Sequence, residues 1–230
     1  ALLLLFFIQP LQAANATAYN QVPHLDDVWY NTLTNIRDTT AEDAIITSWW
    51  DFGHWFKSVG ERRVTFDGTS QNRPQAHWIG KALQSDEDTA LGIFRMVDCG
   101  GNLAFERIEE QNQDTLESVN IVNEIILQNK EQARTTLTNH GLTNVDSILE
   151  VSHCNPPEGY FIASEDMIGK AGVWSHFGGW DFEKSFIYST VRNNLPQQST
   201  LIVQEELGYT QEQAFNVVKE VNSYDEGQAN

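Results

Sequence analysis

Basic residues are what this chain most conspicuously lacks: Lys plus Arg number 14 in 230 residues, against 32 Asp plus Glu, a formal charge of −18. A surface so acidic repels phosphate backbones and anionic headgroups, which disfavours nucleic-acid binding as the main activity and adhesion to anionic lipid. Cysteine is nearly absent. Cys99 and Cys154 stand 55 apart with no C-x-x-C, too few and too scattered for a structural zinc site. A disulfide in an oxidising compartment and two core thiols both fit that pair. No Gly-rich phosphate loop, G-x-S-x-G, H-x-x-x-H or H-E-x-x-H is present. No apolar run reaches the roughly 20 residues needed to span a bilayer.

What is present excludes disorder: hydrophobic residues make up 40%, with 7 Trp, 12 Phe and 6 Tyr. The chain opens on the apolar run Ala1–Ile8, followed by Gln9-Pro10. Two readings remain, the tail of a transmembrane helix or the core of a signal peptide with Ala13-Ala14-Asn15-Ala16 as its cleavage region. Both put the following residues outside the cytoplasm, and the missing Met and basic flank favour the first. Asn15-Ala16-Thr17 is also an N-glycosylation sequon. Residues 11–40 read as a connector and a first helix over Val28–Arg37, and 41–225 as one domain.

Ala44–Ser48 suits a buried strand, Arg63–Phe66 a second, and the residues between them a compact βαβ-like unit. Helices are expected from Pro74 to Leu83, from Ser85-Asp86-Glu87-Asp88 to Gly100-Gly101, from Asp114 through Ile126, and from Lys130 to His140. Ser147–Ser152, Tyr160–Ala163 and Thr200–Gln204 read as strands. Ser164 caps a helix from Glu165 to Gly178-Gly179, and Thr210-x-x-Gln213 is a capping box. The last eight residues are polar and expected to fray. The fold class is mixed α/β, a helix-rich globular domain with short strands, preceded by the end of a transmembrane helix.

Two constellations carry chemistry. In Trp49-Trp50-Asp51-Phe52-Gly53, a strand-to-helix turn would put Asp51 at a helix start, kept ionised by backbone N–H groups and flanked by indoles. Such a pocket accepts a proton from a hydroxyl and rejects a ligand lacking one. The same pattern fits an aromatic core with Asp51 as a plain N-cap. In Glu165–Trp174, Met167, Lys170 and Trp174 fall on one helical face, a surface for a group with both methyl and polar parts; a snorkelling lysine on an amphipathic helix fits equally. Gly169 and Gly172 each cost a helix about 1 kcal/mol, which suggests close approach by another backbone. Histidines 54 and 176 sit beside these segments without metal-ligand spacing. The acids Asp26-Asp27 and Asp86–Asp88 read as helix starts.

Ser48-Trp49-Trp50-Asp51-Phe52-Gly53-His54-Trp55 resembles the W-W-D-Y-G signature of the oligosaccharyltransferase catalytic subunit, its archaeal form above all, with Phe52 in place of the usual Tyr. Asp67-Gly68 with Gln71, Arg95–Asn102 and Ser164–Lys170 are similar to further segments of that family. The last aligns with its D-x-x-K motif, although Asp166 to Lys170 is one residue longer. The resemblance implies transfer of a lipid-linked glycan to the Asn of Asn-x-Ser/Thr on an extracytoplasmic polypeptide. Trp49, Trp50, Asp51, Phe52 and Gly53, with Asp166, Met167, Lys170 and Trp174, would bind the acceptor's Ser or Thr. It also implies that a Mn2+ or Mg2+ ion and the catalytic acids belong to a membrane-embedded half preceding Ala1. This chain would then recognise acceptor on the extracytoplasmic face, tethered to the membrane through upstream helices. The alternative is a non-enzymatic extracytoplasmic module that binds a sugar or a peptide.

Overall fold

The computed structural model describes residues 2–21, 25–71 and 73–223. Helix α1 (Leu2–Asn20) runs through Pro10, so residues 11–20 continue a helix where a connector was expected. Among the described residues no helix is long and apolar enough to cross a membrane. Helix α2 (Asp27–Thr39) is capped by Asp26, whose side chain accepts from the Trp29 N–H at 2.9 Å. The frayed tail expected over the last eight residues lies, apart from Ser223, outside the described residues.

Strand β1 (Ile45–Thr47) is buried along its length, and β2 (Arg63–Val64) and β3 (Gly159–Phe161) flank it in the order β2-β1-β3. Both pairings are parallel, with Ile46 opposite Val64 on one side and Tyr160 on the other. A central parallel strand is covered on both faces, which is why β1 reads as a continuous apolar run. Between β1 and β2 lie a 3₁₀ turn (Trp50–Phe52) and helix α3 (Gly53–Ser58), the strand–helix–strand unit expected from sequence.

The remaining elements are helical: α4 (Gln75–Ala82), α5 (Glu87–Gly100), α6 (Leu103–Asn112), α7 (Thr115–Ile125), α8 (Lys130–Asn139) and α9 (Val145–Ser152). After β3 come α10 (Asp166–Gly169), α11 (Ala171–Gly178), α12 (Phe182–Asn193), α13 (Pro196–Leu207) and α14 (Gln211–Asn222). The expected strands at Ser147–Ser152 and Thr200–Gln204 are therefore helices. In α9 the buried side chains Ile148, Leu149, Val151 and Ser152 follow helical spacing, and a run that short does not separate the two periods. In α13 the decisive signal is Pro196 at the first helical position.

Three apolar clusters form. The main core gathers Trp49, Phe66, Trp78 and Met96 with side chains of α4 to α9. A second, around Leu33, Ile46 and Phe56, lies under α2 and takes Trp29, Phe52 and Trp55 at its margin. A third joins α12, α13 and α14 through Ile187, Val203 and Val218. Cys99 and Cys154 form a disulfide, with Cα atoms 5.7 Å apart, joining the end of α5 to the segment after α9. In the chain-entropy model a loop of that length is worth about 4 kcal/mol.

Helices α4 and α11 cross where Gly80 meets Gly178. A Cβ on Gly178 would stand 2.2 Å from the Gly80 carbonyl carbon, so this contact exists because neither residue has a side chain.

Candidate functional site

The 3₁₀ turn leaves the carboxyl end of buried β1, where ligand sites of parallel sheets gather. Its two tryptophans divide. Trp49 is 2% exposed and meets Phe66 edge to face, ring centroids 5.2 Å apart. Trp50 is half-buried and packs on the outside of the main core. Gly53 closes the turn against the loop after β2: a Cβ there would lie 2.4 Å from the Cβ of Asp67. Asp67 is itself anchored, accepting from the Thr69 N–H at 2.8 Å and from Lys57 of α3. Burial pushes its carboxyl pKa up, but Lys57 and Thr69 outweigh that and hold it well below the usual carboxylate range. Lys57 and Asp67 thus fix α3, and with it the turn, to the second strand.

The second segment arrives from β3. Ser48, at the end of β1, donates to the Ile162 carbonyl at 2.7 Å, and the chain then enters α10. The helix expected from Glu165 to Gly178 is interrupted at Lys170, which has φ −99° and ψ 8°. The start is closed by the Ser164 carbonyl, which accepts from the Met167 N–H at 3.1 Å, not by a side-chain cap. Trp174 donates its indole N–H across the break to the Met167 carbonyl at 2.9 Å. The two glycines face open space, with nothing within 4 Å of a Cβ at Gly169 or Gly172. The close backbone approach expected there is instead made by Gly178 on Gly80. Gly169 and Gly172 belong to the broken, outward part of the segment.

The break aims Lys170 at the turn. Its ammonium stands 2.6 Å from Asp51 Oδ1 and 2.8 Å from Asp166 Oδ2, and 5.7 Å above the Phe52 ring. One cation thus holds two carboxylates. Burial lowers the Lys170 pKa, but its hydrogen bonds to Asp166 and Asp51 outweigh that and raise it above the ordinary lysine value. Burial likewise raises Asp166, and the hydrogen bond from Lys170 more than reverses it. Asp51 therefore takes its counter-charge from Lys170, not from a helix N-terminus. It sits within a single 3₁₀ turn whose N-cap, Trp49, makes no side-chain cap bond.

The other oxygen is the informative one: Asp51 Oδ2 is buried with no hydrogen-bond partner. A buried acceptor left without a donor costs about 1–3 kcal/mol.

Of the residues singled out from sequence, Asp51, Phe52, Asp166 and Lys170 converge at this point, while Trp50 packs against the main core. Trp49 and Met167 are buried, 2% and 8% exposed, and shape the floor. Trp174 is half-buried and engaged with Met167. The neighbouring surface is apolar and open, with Ile168 78% and Val173 48% exposed. Ser48, Lys57 and Asp67 support the site but were not singled out. Their signal was adjacency to the motif for Ser48, and i, i+4 spacing from Gly53 for Lys57. Among the described residues no three of His, Cys, Asp or Glu converge into a metal-binding group, so these residues do not fit a divalent ion.

Residues 42–184 match the family model described as the STT3/PglB/AglB core domain. The chain is 36% identical over 180 residues to the dolichyl-phosphooligosaccharide-protein glycotransferase of Methanococcus voltae, covering 74% of this chain and 19% of that protein. It is 34% identical over 184 residues to the protein of the same name from Methanocaldococcus jannaschii, covering 76% of this chain and 20% of the relative. The chain thus spans about a fifth of the length of these relatives. A solved structure, the C-terminal domain of PglB from C. jejuni, aligns at a TM-score of 0.39 and 16% identity, covering 65% of this chain and 52% of that one.

Proposed function

Because this chain belongs to the STT3/PglB/AglB core-domain family, we propose that it is the acceptor-recognition part of an oligosaccharyltransferase catalytic subunit. Such an enzyme transfers a glycan from a lipid carrier to the Asn of Asn-x-Ser/Thr, and this part binds the acceptor's Ser or Thr. The observation that carries the reading is the buried, unpartnered Oδ2 of Asp51. The acceptor hydroxyl donates to it, while Lys170 pairs with the same carboxylate through Oδ1. An acceptor with Ala in place of Thr leaves Oδ2 without a donor, and discrimination follows from that penalty.

The setting is extracytoplasmic, on the membrane surface. The Cys99–Cys154 disulfide supports an oxidising compartment. The tether to membrane helices is assigned on family membership, to the part of the relatives' length that this chain does not cover. The lipid-linked glycan, the Mn2+ or Mg2+ ion and the acids that bind it are assigned to that same part, and no catalytic step is placed on this chain.

The test is calorimetric titration of the chain with peptides differing only at the hydroxyl position. Asn-x-Thr should bind roughly tenfold or more tightly than Asn-x-Ala, the equivalent of one unsatisfied buried acceptor. Asp51→Asn should erase the difference while leaving the fold intact by circular dichroism. A wild-type chain that binds both peptides equally would overturn the reading in favour of a non-enzymatic peptide- or sugar-binding module.

A further inference from the structure

Helix α2 lies wholly outside the matched region, residues 42–184. Leu33 is the residue it buries fully, while Val28 and Tyr30 remain exposed. The helix meets the cluster of Ile46 and Phe56 through Leu33, Trp29 and Ile36, and it is also fixed at both ends. Asp26 caps its first turn. At its last turn the buried guanidinium of Arg62 donates to the carbonyls of Arg37 and Thr40, the latter at 2.9 Å, and to the Thr40 hydroxyl at 2.9 Å. A buried arginine serving helix-end carbonyls satisfies orphan acceptors and the helix dipole together.

What this fixed helix delivers is Trp29. Its ring meets Phe52 at 4.7 Å, Trp55 at 5.6 Å and Phe56 at 6.1 Å between centroids. Phe52 is also stacked on Trp55 at 4.6 Å. The ring that Lys170 overlies is thus in contact with two indoles. Displacing it removes the cation–π contact and frees the turn that carries Asp51.

We propose that Trp29 is a positioning residue of the acceptor site, locking the Phe52 ring beneath Lys170 so that the ammonium stays on Asp51 Oδ1 and Oδ2 stays free. The inference rests on the acceptor-site reading above and extends it to an element beyond the matched region. A Trp at this place sets how firmly the site is organised before acceptor arrives, and preorganisation is expressed as affinity and selectivity.

The test uses the 230-residue chain with Trp29→Ala, Trp29→Leu and Trp29→Phe, and two readouts. The first is the NMR shift of the Lys170 side-chain ε protons, displaced in wild type by the Phe52 ring current. The second is the preference for Asn-x-Thr over Asn-x-Ala peptide. Trp29→Ala should bring the Lys170 signal to that of an ordinary lysine and reduce the preference by about tenfold, the size of a partly desolvated cation–π contact. Trp29→Phe should restore both. Leu137→Ala, which opens the main core instead, should lower stability without moving the Lys170 signal. If Trp29→Ala fails to fold, Trp29→Leu decides in the same terms. Unchanged Lys170 signals and preference in a folded Trp29 variant overturn the proposal. If the wild-type chain shows no hydroxyl preference, the functional reading fails, while the Lys170 signal still decides whether Trp29 positions it.

Discussion

Gly53 and Gly169 flank the two halves of the site and obey opposite rules. At Gly53 a methyl would lie 2.4 Å from Asp67 Cβ and 2.8 Å from both Asp67 Cα and the Phe66 carbonyl oxygen, all on a loop that Lys57 and Thr69 hold in place. The backbone cannot yield cheaply, and overpacking of this kind costs about 1–3 kcal/mol. At Gly169 a methyl meets nothing within 4 Å, and the residue is helical. Replacing a helical glycine with alanine chiefly restricts the unfolded chain, a gain of about 0.4–1 kcal/mol. Gly53→Ala should therefore lower the urea midpoint and Gly169→Ala raise it. Equal shifts of one sign in both variants would show that the Gly53–Asp67 contact does not hold the turn. Sequence reasoning gave both motif glycines of the second segment a packing role, because a pattern shows the helix cost of glycine but not which glycine another backbone meets.

At the scale of elements, legibility tracked how local the cause was. The starts of α2, α5, α7 and α14 were visible because Asp26, Asp86, Asp114 and Thr210 each act within three residues of themselves. Strand β1 was visible as an apolar run. The break at Lys170 was not, because it is set by partners far away in sequence: Asp51, and the α4 surface that receives Gly178. Helices α6 and α12 went unread, although Asp181 caps α12 by accepting from the Lys184 N–H at 2.9 Å. The sheet carries a further non-local feature. Asp98 of α5 faces the β1–β3 pair, and burial pushes its pKa up to about 6 although Arg63 and the Thr47 hydroxyl pull it down. A carboxyl with a raised native pKa binds its proton more tightly when folded, so stability falls as pH rises from about 4 to about 6. The loss is on the order of 2–3 kcal/mol at neutral pH. Asp98→Asn should flatten that part of the profile and raise the denaturant midpoint at pH 7. A variant less stable than wild type at pH 7 would mean that the ionised carboxylate contributes more through Arg63 and Thr47 than its burial costs.

Among the described residues, burial is divided among three apolar cores. The proposed acceptor site hangs on the main core through Trp49, Met167 and Trp174 and on the smaller cluster under α2 through Phe52. The helices α12, α13 and α14 close on their own apolar centre, with Val203 and Ala214 fully buried, and α12 reaches the body by contact with α7 and through Phe182, which packs on the main core and meets His77 of α4. Cooperative units of this kind open with separate free energies. Val203→Ala removes two methyl groups from this C-terminal centre, a change that costs roughly 1–3 kcal/mol with the cavity it leaves. Hydrogen exchange should accelerate across α12, α13 and α14 by about ten- to a hundredfold, since each 1.4 kcal/mol is a factor of ten, while β1, α4 and α5 keep their protection. Binding of an Asn-x-Thr peptide should be unchanged, because no residue of the site rests on that cluster. Acceleration spread evenly over the chain would instead show one cooperative unit. The C-terminal helices would then belong to the support of the proposed acceptor site, joined to the main core through α7 and Phe182.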